Sequence, residues 1–401
     1  MITLNDATWR FICHHRTDDV RQLALTGIKE DGVDLPLALQ QIQGWQTART
    51  KLPFWAAKEK IVYPPHLNME QCSSETTARY KRDLVRRLCQ ERKAMADLTG
   101  GMGVDFSTLG QDFDKMIYVE RDPILCALMT HNGPVLGLSD VEIRNEDCTE
   151  VLSALPKQDL IFMDPARRDH HGGKVFQLQD CQPDVLTLRE ELLKKARVVV
   201  LKLSPMLDWH AAVGQLDCVR EVHIVATGNE CKELLLVCSS EQIGNGNVYC
   251  VNDGQELCFP LGADPNTGLR ISQEIHPNDF LYEPNAAIMK GGCFGTICEK
   301  YRVGALGHDS HLFTSPVMVD DFPGRRFRIK AISTLNKKEL KRNLANIKQA
   351  NIAVRHFPLS ANELKKRLKL HDGGDTYLFA TTFQPSITSR QERILLITEK
   401  A

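Results

Sequence analysis

Apolar positions follow a helical rhythm over roughly the first ninety residues and a strand-and-helix rhythm after them. Segments 19–25, 35–43 and 75–90 carry helical patterns; in the last, Tyr80, Leu84, Val85 and Leu88 form an apolar stripe, and Ser73 or Ser74 stands where a helix start is capped. From Ala94 short apolar runs recur at 94–96, 116–119, 141–143, 160–163 and 198–203, with helical stretches such as 123–130 and 186–196 between them. That alternation predicts a parallel, doubly wound sheet. It breaks at 219–225 and 234–238, two strands around a short polar loop (ATGNECKE) that read as an edge hairpin. Residues 244–267 are rich in Gly, Asn and Asp and suggest a boundary or an excursion. The remainder reads β-α-β-α-β-β, with elements at 327–332, 337–349, 352–357, 361–370, 376–382 and 393–398, an order that suits a small ferredoxin-like α+β sandwich. The chain therefore divides into a helical region (1–92), an α/β domain (93–240), a connecting region (241–324) and a C-terminal α+β domain (325–401).

Composition narrows this little: 42% hydrophobic and 25% charged residues in 401 positions describe an ordinary globular protein and exclude a disordered or fibrous chain. A net charge of -1 gives the whole molecule no general attraction for polyanions. The 13 cysteines include no C-x-x-C pair, which argues against zinc-ribbon and thioredoxin spacings and for free thiols. No metal site is expected. No run approaches the roughly 18 apolar residues a membrane span needs, and the first residues lack a basic segment followed by an apolar core. The expectation is a cytoplasmic protein, of undetermined oligomeric state.

The strongest chemical signal is Asp97-Leu98-Thr99-Gly100-Gly101-Met102-Gly103-Val104-Asp105, placed between a short strand and a helix. Gly101 and Gly103 let backbone pass close to a ligand where a Cβ would clash. Asp97 precedes the glycines, where a nicotinamide-type loop would face it with a pyrophosphate; an acid there instead suits a ligand with a cationic amino group and a sulfonium. Glu120 ends the next strand, 23 positions on, where a carboxylate can take both ribose hydroxyls. Asp147, after the third strand, can accept from an adenine amino group. Thr99, Arg121 and Cys148 flank these positions and join the candidate set. Each acid alone reads as a helix cap, turn or solvated loop residue, and each glycine as an ordinary turn; the ordered set is what carries the signal.

In these residues, and in Asp164-Pro165 after the fourth strand, the segment resembles the class I S-adenosylmethionine-dependent methyltransferases over about 150 residues. The resemblance implies a Rossmann-like sheet closed by the antiparallel hairpin, S-adenosylmethionine as cofactor, and Asp164 at the methyl donor. Amino-methylating members carry (D/N)-P-P-(Y/F) here, whereas this chain has Ala166 and Arg167, which leaves the target atom open. A guanidinium can stack on a base or grip a phosphate. Asp164 and Arg167 are the catalytic candidates; Arg167 and Arg168 are substrate candidates, with a structural ion pair as the competing reading. Lys202 ends the fifth strand at the same edge, either as a substrate contact or as a lysine snorkelling to solvent.

Charge is segregated in the C-terminal region. From Arg325 to Leu370 there are 14 Lys/Arg against two acids, a local charge of +12 on a chain of -1. Such a module is an electrostatic footprint for phosphate, with a merely solvated helix face as its competitor. Arg325, Arg326, Arg355, Lys365 and Lys366 are the candidate contacts. The last 75 or so residues are similar to the THUMP-like domain, on the lines 352–358, 363–368 and 372–378; with segment 70–78 and D-P-A-R-R, the whole chain is similar to bacterial class I methyltransferases bearing that domain. True THUMP domains deliver tRNA to modification enzymes. The reading is thus an RNA base methyltransferase, tRNA before rRNA, with a protein or small-molecule methyltransferase, or an RNA-binding module without turnover, as alternatives. Tyr282–Asn285 and Ser310–Phe313 read either as a substrate surface or as loops and short strands joining two domains.

Overall fold

The computed structural model describes residues 4–26, 30–167, 177–386 and 388–401. They form two compact units, one of residues 1–222 with 233–246, the other of 223–232 with 247–401.

The first unit opens with helices Asp6–His15, Val20–Thr26, Leu35–Lys51, Pro53–Ala56, His66–Gln71 and Glu75–Leu88. Side chains of Asn5, Asp34 and Ser74 accept the N–H groups of Thr8, Leu37 and Thr77, so three of these helices start on a capping oxygen. The third helix runs on to Lys51 instead of stopping near Gln43. Gly44 is not a break there: a Cβ on it would lie 2.4 Å from Tyr63 Cβ, so the glycine permits a close crossing. Ala48, Leu52, Trp55, Tyr63, Met69 and Ala78 share one core with Val104 and Leu136 of the α/β fold, so the helical region is welded to it.

The expected sheet is present: β1 Ala94–Asp97, β2 Lys115–Val119, β3 Val141–Arg144, β4 Gln158–Met163 and β5 Ala196–Leu203, closed by the hairpin β6 Val219–Thr227 and β7 Glu230–Cys238. Its order is 3-2-1-4-5-7-6, parallel except for the hairpin. Leu160 to Met163 and Val198 to Val200 are at most 1% exposed, because helices cover both faces and every side chain of a central strand meets apolar neighbours. Chain direction along the sheet reverses between β1 and β4, so their carboxyl ends open the crevice in which such sheets take ligands.

In the second unit the hairpin tip, 223–232, groups with β8 Asn247–Asn252 and β9 Gln255–Pro260. A seven-stranded sheet follows. Its labelled strands are β10 Phe280–Pro284, β11 Phe313–Ser315, β12 Gly324–Ser333, β13 Asn351–Val354, β14 Thr376–Phe383 and β15 Glu392–Lys400. The last four run 12-15-14-13, and helices Lys337–Asn343 and Ala361–Leu368 complete the β-α-β-α-β-β order. Leu340, Leu364 and Leu368 pack on Leu378, Leu395 and Ile397, whereas Phe379, Leu396, Phe327 and Ile329 point into a separate core on the other face, as the two-residue period of a strand requires. The connecting region holds short strands and two helices, Ala286–Gly291 and Phe294–Tyr301; Tyr282 and Phe313 are core residues of β10 and β11 and face no substrate, in keeping with the reading of these segments as loops and short strands. Among the described residues no helix is long and apolar enough to cross a membrane, and no group of three metal-ligating side chains occurs. All thirteen cysteines are free.

Candidate cofactor and catalytic site

β1 delivers Asp97 to the crevice, 1% exposed, and its Oδ1 accepts the Thr99 N–H at 2.9 Å. The turn then needs left-handed backbone at Gly101 (φ 54°) and Gly103 (φ 85°), and a Cβ at Gly100 would strike the Tyr118 ring at 2.2 Å. Tyr118 reaches across from β2 and donates its hydroxyl to the Gly101 carbonyl. The loop is therefore held rigid before any ligand arrives, which reduces the ordering cost of binding. Burial pushes Asp97 up to about 8, with Asp105, Asp164 and Glu120 adding repulsion.

Glu120 sits beside this loop, accepting the Gly101 N–H at 2.9 Å on one oxygen and the Asp122 N–H at 2.9 Å on the other. Each carboxylate oxygen keeps a further lone pair for a hydroxyl. Asp147 caps helix Cys148–Ala154: its Oδ1 accepts from the Thr149 hydroxyl at 2.6 Å and the Thr149 N–H at 2.9 Å, and these bonds hold its carboxyl below the usual range. Arg121 is exposed at the end of β2, and Cys148 is buried with its thiol pushed up to about 11, so it is no nucleophile.

The Thr99 hydroxyl ties the two crevice walls together, accepting the Asp164 N–H at 2.6 Å and lying 3.4 Å from Asp97 Oδ1. Asp164 in turn accepts a hydrogen bond from Lys202 Nζ. Lys202 does not snorkel to solvent. It is 9% exposed, with Asp164 on one side and Asp105 Oδ2 at 3.9 Å on the other. Burial alone would depress its amine; Asp164, Asp105 and Glu233 together keep it charged, above the ordinary lysine range. Burial raises the Asp164 carboxyl, and Lys202 opposes that rise. Arg167 lies in the two-residue strand Ala166–Arg167, paired with Cys181–Gln182, but its side chain and all of Arg168 fall outside the described residues.

Beneath these groups lies a network the sequence analysis missed. Lys81, fully buried, donates to Glu233 Oε2 at 2.6 Å and Ser73 Oγ at 3.0 Å, and its Nζ stands 3.0 Å from Asp105 Oδ1. Ser73 Oγ lies 2.7 Å from Asp105 Oδ2 and 3.1 Å from Glu233 Oε1. Burial opposes ionisation of Asp105, but Lys81 and Lys202 overcome it and hold that carboxyl below its usual range. One signal was available: Lys81, Leu84, Val85 and Leu88 share a helical face, so the apolar stripe begins with a lysine.

The candidate phosphate contacts of the second unit separate into two sets. Arg325 and Arg355 pair with opposite oxygens of Glu283, which is 3% exposed, with Arg355 Nη2 at 2.6 Å, while their own side chains stay 45% and 36% exposed. Arg326 pairs with Asp320, and Lys365 lies 2.6 Å from Asp372. Lys366 is exposed, as are Arg367 beside it and Lys337, Lys338, Lys341 and Arg342 on the other helix.

The strand order, the switch point over β1 and β4, and the acid-glycine loop between them define a class I S-adenosylmethionine-dependent methyltransferase fold. Comparison agrees. A crystal structure of a candidate methyltransferase from Porphyromonas gingivalis W83 matches with TM-score 0.84 and 31% identity over 98% of both chains. A S-adenosylmethionine-dependent methyltransferase from Agrobacterium tumefaciens gives TM-score 0.28 and 20% identity over 35% of this chain and 48% of that one. An rRNA methylase from Streptococcus thermophilus gives 0.31 and 11% over 40% and 93%. A ferredoxin-like domain family matches residues 280–323, and the family described as THUMP domain-like matches 324–400. No curated protein matches the chain. The chain belongs to the class I S-adenosylmethionine-dependent methyltransferases that carry a THUMP-like C-terminal domain, and it is an enzyme of that class.

Proposed function

We propose that the chain methylates a base in RNA, tRNA before rRNA, in the reducing cytoplasm that suits thirteen free thiols. The observation that carries this reading is the set of exposed cations, Lys337, Lys338, Lys341, Arg342, Lys366 and Arg367, on the two helices of the THUMP-like segment. They give a phosphate backbone a place to dock, while Asp105 and Lys202 have turned their charges inward. Bound S-adenosylmethionine supplies an activated methyl group. Asp97 and Glu120 are assigned to its amino group and ribose, and Asp147 to its adenine. Asp164, fixed by Thr99 and Lys202, orients the target atom or takes its proton, so that alignment does most of the work. Arg167 and Arg168, next to it in sequence, are assigned to the substrate base and phosphate.

The test is transfer of labelled methyl groups to bulk tRNA, rRNA and total protein. Label is expected in tRNA, lost in Asp164→Ala with the fold intact. If all six cations engage phosphates, affinity falls about 300- to 2,000-fold between 50 and 200 mM salt. Label only in protein or small molecules overturns the RNA assignment.

A further inference from the structure

Asp105 follows the glycine loop directly, in the first turn of helix Val104–Gly110, where an acid suits the helix dipole. Its carboxylate does more than that. It is 8% exposed, and three polar side chains from two other segments of the chain meet it. Ser73 Oγ lies 2.7 Å from Oδ2, Lys81 Nζ stands 3.0 Å from Oδ1, and Lys202 Nζ stands 3.9 Å from Oδ2. Lys81 faces Glu233, Ser73 and Asp105 with its three donors. Ser73 and Lys81 belong to the start and body of the last N-terminal helix, so Asp105 is braced from outside the α/β sheet. All these residues lie in the first compact unit.

Lys202 therefore stands between two carboxylates in unlike surroundings. Asp105 is buried, whereas the Asp164 side chain is 41% exposed and takes the lysine on Oδ2. A lysine is a point charge on a flexible stem with rotatable donors. Facing Asp164 alone, it would give that carboxylate its whole charge and could reach either oxygen. We propose that Asp105 is a positioning residue for methyl transfer: held by Ser73 and Lys81, it shares Lys202 with Asp164 and so leaves Asp164 Oδ1 open to the target atom. The inference rests on the role given to Asp164 above, and it gives the helical region a part in the chemistry. The electrostatics agree in sign. Burial raises the Asp164 carboxyl, Lys202 opposes that rise, Asp105 adds to it and Lys81 opposes it. Asp105 thus keeps Asp164 a better proton acceptor than an undivided Lys202 would allow.

The deciding variant is Asp105→Asn, which removes the charge at nearly the same shape and leaves Glu233 and Asp164 facing Lys81 and Lys202. Methyl transfer by the full chain to the RNA labelled by wild type is followed through the acid limb of the kcat–pH profile. Expected is a kcat lower by about 10²-fold, an unchanged KM for S-adenosylmethionine, and an acid limb moved to lower pH, because Lys202 then falls wholly to Asp164. Ser73→Ala removes one anchor and no charge, and it serves where Asp105→Asn does not fold; kcat should fall about tenfold. The Asp164 carboxyl carbon, followed by NMR in the free chain, needs no substrate, and its titration midpoint should fall in Asp105→Asn. A midpoint or acid limb that stays in place or rises overturns the proposal and leaves Asp105 to the fold. Wild-type kcat in Ser73→Ala overturns the bracing from the helical region. If wild type transfers no methyl group to RNA while the midpoint still falls in Asp105→Asn, the RNA reading has failed and the sharing of Lys202 stands.

Discussion

With Asp97 assigned to the ammonium of the cofactor, binding becomes a proton-linked event. Its carboxyl, 1% exposed and raised to about 8, is about 90% protonated at pH 7 in the free protein. An ammonium placed against it favours the ionised form. Binding at pH 7 should therefore release about 0.9 proton, and the association constant should rise about ninefold from pH 6 to pH 7, as the ionised fraction grows from about 1/101 to 1/11. Above pH 8 the gain stops, because Asp97 is then ionised and an α-amino group, with a pKa near 8 in peptides, begins to lose its own charge. Calorimetry at pH 7 in buffers of different ionisation enthalpy reads the proton count directly, and Asp97→Asn should abolish it. The same linkage acts on the free protein. With the folded pKa above the unfolded one, Asp97's contribution favours the native state below about pH 4 and is lost as pH rises from 4 to 8, so Asp97→Asn should be the more stable protein at pH 8. Binding enthalpies independent of buffer, with an affinity flat between pH 6 and 7, would refute the assignment and leave Asp97 as an anchor for the Thr99 N–H.

Lys202→Met removes the cation bonded to Asp164 and should lower kcat by about 10²-fold while KM for S-adenosylmethionine moves little, and should shift the acid limb of the kcat–pH profile upward; an unmoved profile would show that Lys202 merely fills space. Lys81→Met strands Asp105 and Glu233 in the interior and should destabilise the first unit by about 3–5 kcal/mol in urea unfolding, partly restored by also replacing Glu233 with Leu; a loss under 1 kcal/mol would mean water reaches the pair. The triple variant Lys338→Gln, Lys341→Gln, Lys366→Gln should reduce the log–log salt slope of RNA binding by about 2–3 with the fold intact. Arg355→Ala should instead show its main loss in stability, because it leaves Glu283 half-paired.

The α/β core was legible because buried parallel strands are written as continuous apolar runs: Leu160 to Met163 and Val198 to Leu201 announce themselves without reference to partners. The acid-glycine loop was legible for a similar reason, since backbone geometry at Gly101 and Gly103 restricts residue type locally. Charge pairing is not local. Lys81 meets Glu233 across 152 positions, and nothing near either residue names the other. Counting basic residues between Arg325 and Leu370 could not separate Arg325 and Arg355, paired with Glu283, from Lys366 and Lys341, which are exposed. Lys202 was read by its neighbours in sequence, whereas its setting follows from two carboxylates, one in the first turn of helix Val104–Gly110 and one just beyond β4. Glu233 was read as part of a polar loop, but the hairpin strand begins at Glu230 and carries it 3% exposed into the network.

The inventory of charges at the crevice has a consequence for turnover. Asp105, Asp164 and Glu233 face two ammoniums, Lys81 and Lys202, an excess of one negative charge before Asp97 is counted and two once it ionises. S-adenosylmethionine carries an ammonium, a sulfonium and a carboxylate, a net of one positive charge; after methyl transfer the sulfur is neutral and that net charge is gone. A low-dielectric site with excess negative charge holds the donor more tightly than the spent cofactor, since charges interact more strongly away from water. The donor should therefore bind more tightly than S-adenosylhomocysteine at pH 8, and the ratio should shrink in Asp97→Asn, where one negative charge is removed without a change in shape. Equal affinities for the two ligands in wild type, or a ratio untouched by Asp97→Asn, would show that the buried carboxylates serve the fold alone and that product release is governed elsewhere.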